Sequence, residues 1–449
     1  MSRRKSKLSS EERSRALSAA KSALGRSAPA KATPSPSFES FSGYKERQMV
    51  RQIGKLQNLG DPTFREHDVR AGATSRMDGQ EVINFGSYDY VGINADPRPA
   101  AAAKAAIDLY GVSASASRLT AGQRPVHTQL EAALAEHYDV EAALTFVSGH
   151  ATNVSVIATI TGKNDLIISD SYIHNSATVG IQLSGASRRS FTHNDLDALE
   201  TILAETAGKY RATLVVVEGH YSMDGDIPDL QRLVALKKQY GFWLMVDEAH
   251  GLGCIGATGK GVREVYDLPG AAVDVWMGTL SKSLGSTGGY VAGSAALIDI
   301  MKYEAPGSVY SVALAPNLAA AALKALEILH DEPERVTRLQ DNGTFFMKTV
   351  QAAGLDTGLS IGSSIVPVIV GHSALAMAAS DELLARGFNV LPIVFPGVPM
   401  NQARLRFFIS SEHTQEQMKT AIDTTVDILT DLKNGPLETL VQDAISEIV

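Results

Sequence analysis

The run Met277-Gly-Thr-Leu-Ser-Lys-Ser-Leu-Gly285 places a lysine, hydroxyls and small residues where a strand-like apolar stretch stops. A lysine at the end of a buried strand is badly placed for solvation. Burial favours its neutral amine, which can form a Schiff base with an aldehyde. Read alone, Lys282 is equally well a surface lysine that follows a strand. A second strand end decides between the two: in Val246-Asp-Glu-Ala-His-Gly251, Asp247 closes another apolar run. A lysine and a carboxylate at neighbouring strand ends suit pyridoxal 5'-phosphate (PLP). The aldehyde takes the amine, and the pyridine nitrogen needs an anion to stay protonated and act as an electron sink. A carboxylate at ion-pair distance raises such a pKa by roughly 1–3 units.

Other residues complete this chemistry. Phe146-Val-Ser-Gly-His-Ala151 reads as strand, Ser-Gly turn and helix start, where unpaired N–H groups and the helix dipole favour a phosphate. Ser148, Gly149 and His150 would form that cradle, with hydroxyls from Thr279 and Ser281 on the lysine strand. His174, after the strand ending near residue 169, is placed to stack on a ring. Ser222, in Ser222-Met-Asp-Gly-Asp226, is placed to reach a cofactor oxygen. Arg404 and Arg406 share one face of a strand, because strand side chains alternate with period two. Either could hold a carboxylate bidentately.

These residues need strand ends to hold them, and the hydrophobic pattern provides them. Apolar runs at 142–146, 166–169, 214–218, 243–247, 275–280 and 289–292 alternate with helical spacing at 98–110, 126–138, from 149, 175–183, 196–207 and 230–240. That pattern predicts an α/β protein with a mostly parallel central sheet covered by helices. Ligands of such sheets bind at the carboxyl ends of the strands. From about 320 the order changes to a long helical run at 317–353, strands at 366–370 and 405–409, and helices at 373–387 and 414–433, a smaller α+β unit. The expected division is therefore a basic extension at 1–40, an N-terminal arm at 41–96, a large cofactor domain at 97–320 and a small C-terminal domain at 321–449. The arm would contain a helix at 44–59 and a hairpin at 74–84 turning at Asp78-Gly79.

The 449 residues carry 44% hydrophobic and 20% charged residues and a net charge of −8, which argues against a nucleic-acid binder. The one cysteine, Cys254, excludes an intramolecular disulfide and a cysteine zinc cluster and fits a reducing, cytoplasmic setting. No apolar run approaches the roughly 18 residues of a membrane span. In residues 1–40, nine Lys/Arg face three Glu. Ser9 and Glu12 can form a capping box for a short amphipathic helix, followed by an Ala/Pro/Ser linker. Such a basic arm suits an acidic partner, an acyl carrier protein among them, or peripheral contact with an anionic membrane.

Taken together, Val246-Asp-Glu-Ala-His-Gly251, Gly278-Thr-Leu-Ser-Lys-Ser283 and Ser222-Met-Asp-Gly-Asp226 resemble the α-oxoamine synthases, decarboxylating acyltransferases of PLP fold type I (aspartate-aminotransferase-like). Ser115-Ala-Ser-Arg-Leu-Thr-Ala-Gly122 and Phe191-Thr-His-Asn-Asp195 are also similar to that family, and the likeness runs from about 44 to 433. It implies Lys282 as the Schiff-base lysine, Asp247 as the pyridinium partner, His174 stacked on the ring and His250 near the phenolic oxygen and substrate. It implies Ser148, Gly149, His150 and Thr279 at the phosphate and Ser115 near the substrate. It further implies a homodimer with shared active sites, in which Ser311 comes from the partner and the arm crosses over. Arg406, rather than Arg404, matches the arginine that holds the amino-acid carboxylate. Gly86-Ser-Tyr-Asp-Tyr-Val-Gly92, with Tyr88 at the substrate, looks most like the serine palmitoyltransferase members, and Asp89 would add negative charge at the entrance. The expected reaction joins L-serine to a long-chain acyl thioester, on CoA or a carrier protein, giving 3-ketodihydrosphingosine and CO2. Alternatives are glycine or alanine as the amino acid, a fold-type-I aminotransferase, and a non-catalytic subunit; the presence of Lys282 speaks against the last.

Overall fold

The computed structural model describes residues 37–56, 60–395, 397–399 and 401–435, with isolated helical positions at 11, 14, 15 and 18. The expected helix and linker of the basic extension otherwise lie outside the described residues. A helix spans Ser42–Leu56. The hairpin β1 (Thr74–Met77) and β2 (Gln80–Asn84) turns at Asp78 and Gly79, both with positive φ, as a two-residue type I′ turn requires.

The main sheet contains β3 (Ala142–Phe146), β4 (Leu166–Asp170), β5 (Ser187–Phe191), β6 (Thr213–Glu218), β7 (Trp243–Asp247), β8 (Val275–Thr279) and β9 (Gly289–Gly293). Their order is β3-β9-β8-β7-β6-β4-β5, and β9 alone runs against its neighbours. The central strands are buried on both faces. Leu214, Val216, Met245, Val275 and Met277 pack on one face with Val156, Ile157, Ala177 and Ile181. Val215, Val217, Leu244, Val246 and Trp276 pack on the other with Leu199, Leu233 and Leu326. Two covered faces leave no polar side to alternate, so these strands read as continuous apolar runs.

The helical stretch expected at 317–353 is two helices, Pro316–Asp331 and Glu334–Ala352. Pro333 divides them, since it has no N–H to continue the first helix. The C-terminal part holds β10 (Ile365–Gly371), a helix Ser373–Ala385, β11 (Phe388–Asn389), β12 (Leu391–Ile393), β13 (Ala403–Phe408) and the closing helix Gln415–Lys433. β13 lies between β10 and β12, antiparallel to both.

β2 pairs in parallel with β11 of the same chain, so the hairpin joins the C-terminal unit in a three-stranded sheet. The segment that follows is tied in as well: Phe408 N–H donates to Phe85 O at 2.9 Å, and Ser411 N–H to Tyr90 O at 2.7 Å. Tyr88 and Tyr90 are thereby held against β13. Among the described residues no helix is long and apolar enough to cross a membrane.

Candidate active site

The parallel strands deliver their cargo at one end. Glu218 of β6 pairs with Asp247 of β7, which pairs with Met277 of β8. Three residues beyond β8, Lys282 sits on a closed turn. Leu280 N–H donates to Gly288 O at 3.0 Å, Ser286 N–H to Leu280 O at 2.9 Å and Gly285 N–H to Lys282 O at 2.8 Å. Gly285 has φ +55°, which lets the chain double back there. The lysine is half-buried, with Nζ 5.5 Å from the centroid of the Tyr88 ring. Burial lowers its pKa to about 8, against the upward pull of Asp247 and Glu218, and the Arg406 cation pushes the same way as burial.

Asp247 is buried and held in place. Its Oδ2 accepts from Asn153 Nδ2 at 2.7 Å and its Oδ1 from Ala249 N–H at 2.9 Å. Asn153 lies one turn into the helix Gly149–Ile160 and also donates to Ser176 Oγ at 2.9 Å. Ser176 Oγ is 2.7 Å from His174 Nδ1. His174 is thus linked to Asp247 through two side chains, while it caps the helix Asn175–Ser184. Burial lowers the His174 pKa despite Asp247, so the ring is neutral and available for stacking. His250 is buried, with Nδ1 2.9 Å from the Tyr90 hydroxyl. Burial, then the cations Lys282 and Arg406, hold its pKa well below the usual histidine value.

Residues 148–150 form a helix head beside β8. Ser148 caps the helix Gly149–Ile160, its Oγ accepting from Ala151 N–H at 3.0 Å. The N–H groups of Gly149 and His150 head that helix, ahead of its first intrahelical donor, with the His150 side chain exposed. A Cβ on Gly149 would sit 3.0 Å from both Cβ and Oγ1 of Thr279, so only glycine lets the helix head come this close to β8. Thr279 Oγ1 lies 2.8 Å from Ser281 Oγ. Donors at a helix head, two hydroxyls, a carboxylate held from behind and a lysine with a lowered pKa fit PLP.

The two arginines of β13 have different fates. Arg404 is buried and fully engaged: Nη1 donates to Asp224 Oδ1 at 2.7 Å and Met223 O at 3.2 Å, Nε to Gln402 O and Nη2 to Gln402 Oε1. Arg406 is equally enclosed, yet its Nη1 donates to the Ser222 carbonyl at 2.8 Å and its Nε has no partner. Its guanidinium lies 4.5 Å from the centroid of the Phe408 ring, and burial lowers its pKa. A buried guanidinium with a donor to spare has the chemistry to take a carboxylate.

One expectation changes. Asp89 is enclosed instead of standing open at an entrance: it is buried, and its Oδ1 accepts from Asn94 N–H at 3.0 Å. Ser115 is exposed and Ser311 half-buried, on segments tied together by Ala313 N–H to Ala116 O at 3.0 Å. Ser222 meets Arg406 through its backbone carbonyl, while its N–H donates to Glu218 Oε2 at 3.2 Å. Asn153, Ser176, Tyr90 and Glu218 went without a role in the sequence reading. Asn153 and Glu218 had a visible signal, one turn into the cradle helix and at a strand end respectively. A cavity of about 810 Å3 lies at the opposite, amino end of the sheet, lined by Trp243, Val275 and Gly293, and contains none of these residues.

Comparison with known proteins agrees with this geometry. Residues 80–424 match the family model of aminotransferase class I and II. The 8-amino-7-oxononanoate synthase of Symbiobacterium thermophilum is 40% identical over 384 residues, 86% of this chain and 95% of that protein. The 8-amino-7-oxononanoate synthase of Beijerinckia indica is 39% identical over 82% of this chain and 93% of its own length. Among solved structures, Sphingomonas wittichii serine palmitoyltransferase has 31% identity and a TM-score of 0.82, covering 86% of this chain and 97% of that one. A high-resolution structure of SPT with PLP matches with the same identity and TM-score over 87% of this chain and 98% of that one. With its strand-end lysine and aspartate, its helix-head cradle and these relatives, the chain belongs to the class I and II aminotransferase family and, within it, to the PLP-dependent α-oxoamine synthases.

Proposed function

We propose that this α-oxoamine synthase condenses L-alanine, or an amino acid with a similarly small side chain, with an acyl thioester, releasing CO2 and the thiol and leaving an α-amino ketone. The observation that carries the reading is Arg406, a buried guanidinium with an unpaired Nε, close enough to Lys282 to depress its pKa. The choice of alanine rests on the relatives. In 8-amino-7-oxononanoate the amine and ketone stand on adjacent carbons, and the two-carbon end bearing the amine is alanine without its carboxylate.

Arg406 holds the amino-acid carboxylate. Lys282, neutral above about pH 8, takes the proton from the α-carbon. Asp247 and the Ser148–His150 cradle with Thr279 and Ser281 would hold PLP, which when bound supplies the electron sink for that α-carbon. His174 would cover the ring face, and His250 would hold the ring and carbonyl oxygens in place. The exposed segments around Ser115 and Ser311, with Val112 73% and Tyr310 87% exposed, are where a second copy would dock and share the site.

A second reading, serine with a long acyl chain, is favoured by the serine palmitoyltransferase folds and by Tyr88, which stands where oxononanoate synthases usually carry Asn. One assay decides: holoenzyme with alanine, serine or glycine, each with short, ω-carboxylated or long acyl thioesters on CoA or a carrier protein, following CO2. Preference for alanine supports the proposal, and preference for serine with a long chain replaces it by the second reading. A keto acid without CO2 refutes both. The basic segment 3–31 is proposed to dock an acidic acyl carrier; unchanged carrier-dependent turnover after deleting residues 1–40 removes that role.

A further inference from the structure

The loop after β6 does two things at once. Its Ser222 and Met223 carbonyls and its Asp224 carboxylate receive Arg406 and Arg404 from β13 of the C-terminal unit. Its far end, Asp226, is joined to the end of β4 by His193, with Asn194 beside it. His193 Nε2 lies 2.9 Å from Asp226 Oδ2, and His193 Nδ1 lies 3.0 Å from Asp170 Oδ1 at the end of β4. The histidine side chain is 7% exposed. The Tyr172 ring stacks on it at 4.4 Å, and Tyr221 meets it edge-on at 4.5 Å. Asn194, at φ +55°, reinforces the joint: its N–H donates to Asp170 Oδ2 at 2.8 Å and its Nδ2 to Asp226 Oδ2 at 2.6 Å.

We infer that His193 is a positioning residue for the substrate-carboxylate arginine: bridging Asp170 and Asp226, it fixes the Ser222–Asp226 loop, and the loop fixes Arg406 against Lys282.

Three features support this. The bridge uses both ring nitrogens, which an imidazole does as a donor on both sides only when it is cationic. Burial opposes that charge, but the hydrogen bonds to Asp170 and Asp226 outweigh it and raise the pKa to about 10. The loop between Asp226 and Arg406 has little other choice of position: Gly225, at φ +74°, has no room for a Cβ, which would meet Ile365 O at 2.2 Å. The Arg406 guanidinium donates to the Ser222 carbonyl at 2.8 Å and lies 3.6 Å from Met223 Sδ, both on this loop, so a shift of the loop shifts the guanidinium. Misplacement by about 1 Å in a substrate-holding group can cost on the order of 100-fold.

The inference rests on Arg406 as the carboxylate receptor, and a mutant cycle separates the two claims. The measurement is the amino-acid dissociation constant of holoenzyme, titrated with alanine and followed in the PLP absorbance, with PLP content and thermal midpoint recorded for each variant. His193→Gln should raise the dissociation constant by about 10-fold or more while the KM for the acyl thioester stays within about 2-fold. In an Arg406→Leu background the same change should add nothing, because the residue it acts through is gone. Asp226→Asn, which keeps the side-chain shape, should reproduce the effect if His193→Gln does not fold. An unchanged dissociation constant in His193→Gln, or an equal effect with and without Arg406, overturns the positioning role. If Arg406→Leu alone leaves alanine binding intact, the receptor reading fails instead.

Discussion

Arg404 and Arg406 stand two residues apart on the same strand in different surroundings, so under the proposed function replacing each by leucine gives opposite results. Arg404→Leu removes the partner of Asp224 and leaves a buried carboxylate, already with Oδ2 unpaired, without its counter-ion. Breaking a buried pair from one side costs about 3–5 kcal/mol. With unfolding entropy near 2 cal/mol/K per residue, a chain of this size should lose roughly 3–6 °C of thermal midpoint. Arg406→Leu removes a desolvated cation that has no carboxylate partner among the described residues. Its stability cost should lie within about 1 kcal/mol, and a gain is possible on the same physics, because leucine suits the neighbouring Phe408 better than an unpaired charge does. Its effect belongs to the substrate: loss of a charge-assisted hydrogen bond worth about 1.5–3 kcal/mol raises the amino-acid dissociation constant roughly 10–150-fold. The assays are calorimetric unfolding of both holoenzymes and alanine titration of the PLP absorbance. Equal midpoint losses in the two variants, or normal alanine binding in Arg406→Leu, would refute the assignment.

Two further outcomes follow from the titrating groups. Cofactor-free protein should take up PLP at a rate that rises with pH and half-saturates near 8, because burial lowers the Lys282 pKa from 10.5 to about 8 and only the neutral amine reacts. Stability has the matching sign: the unfolded lysine keeps a proton that the folded one has lost, so the cofactor-free chain should gain stability as pH rises from about 8 towards 10.5. A rate flat between pH 7 and 10, or uptake that survives Lys282→Ala, contradicts this. Tyr90→Phe deletes the hydroxyl 2.9 Å from His250 Nδ1 and should lower kcat roughly 3–10-fold, the worth of one neutral hydrogen bond, with alanine binding unchanged. A rise in the alanine dissociation constant with unchanged kcat would show that Tyr90 acts elsewhere.

What could be read from sequence was what is local along the chain. The buried strands announce themselves because both faces are covered and every position is apolar, and the lysine and aspartate stand out as polar residues ending such runs. β5 was missed because it is an edge strand whose Ser187, Arg188, Arg189 and Ser190 face out of the core, leaving only Phe191 buried. β11 and β12, of two and three residues, are too short for any periodicity, and with them went the destination of the N-terminal hairpin. The site divides the same way. Alternation put both arginines on one face, but only Asp224, 180 residues away in the chain, tells which of them is spent. Asp89 looks in sequence like charge beside a substrate, and only the backbone of residue 94 turning towards it makes it a buried turn anchor. The chemistry-bearing residue types are therefore legible one strand end at a time. The division of labour among them is set by partners brought from other strand ends and from the second sheet, and for Arg406 that partner is a carbonyl whose position depends in turn on His193.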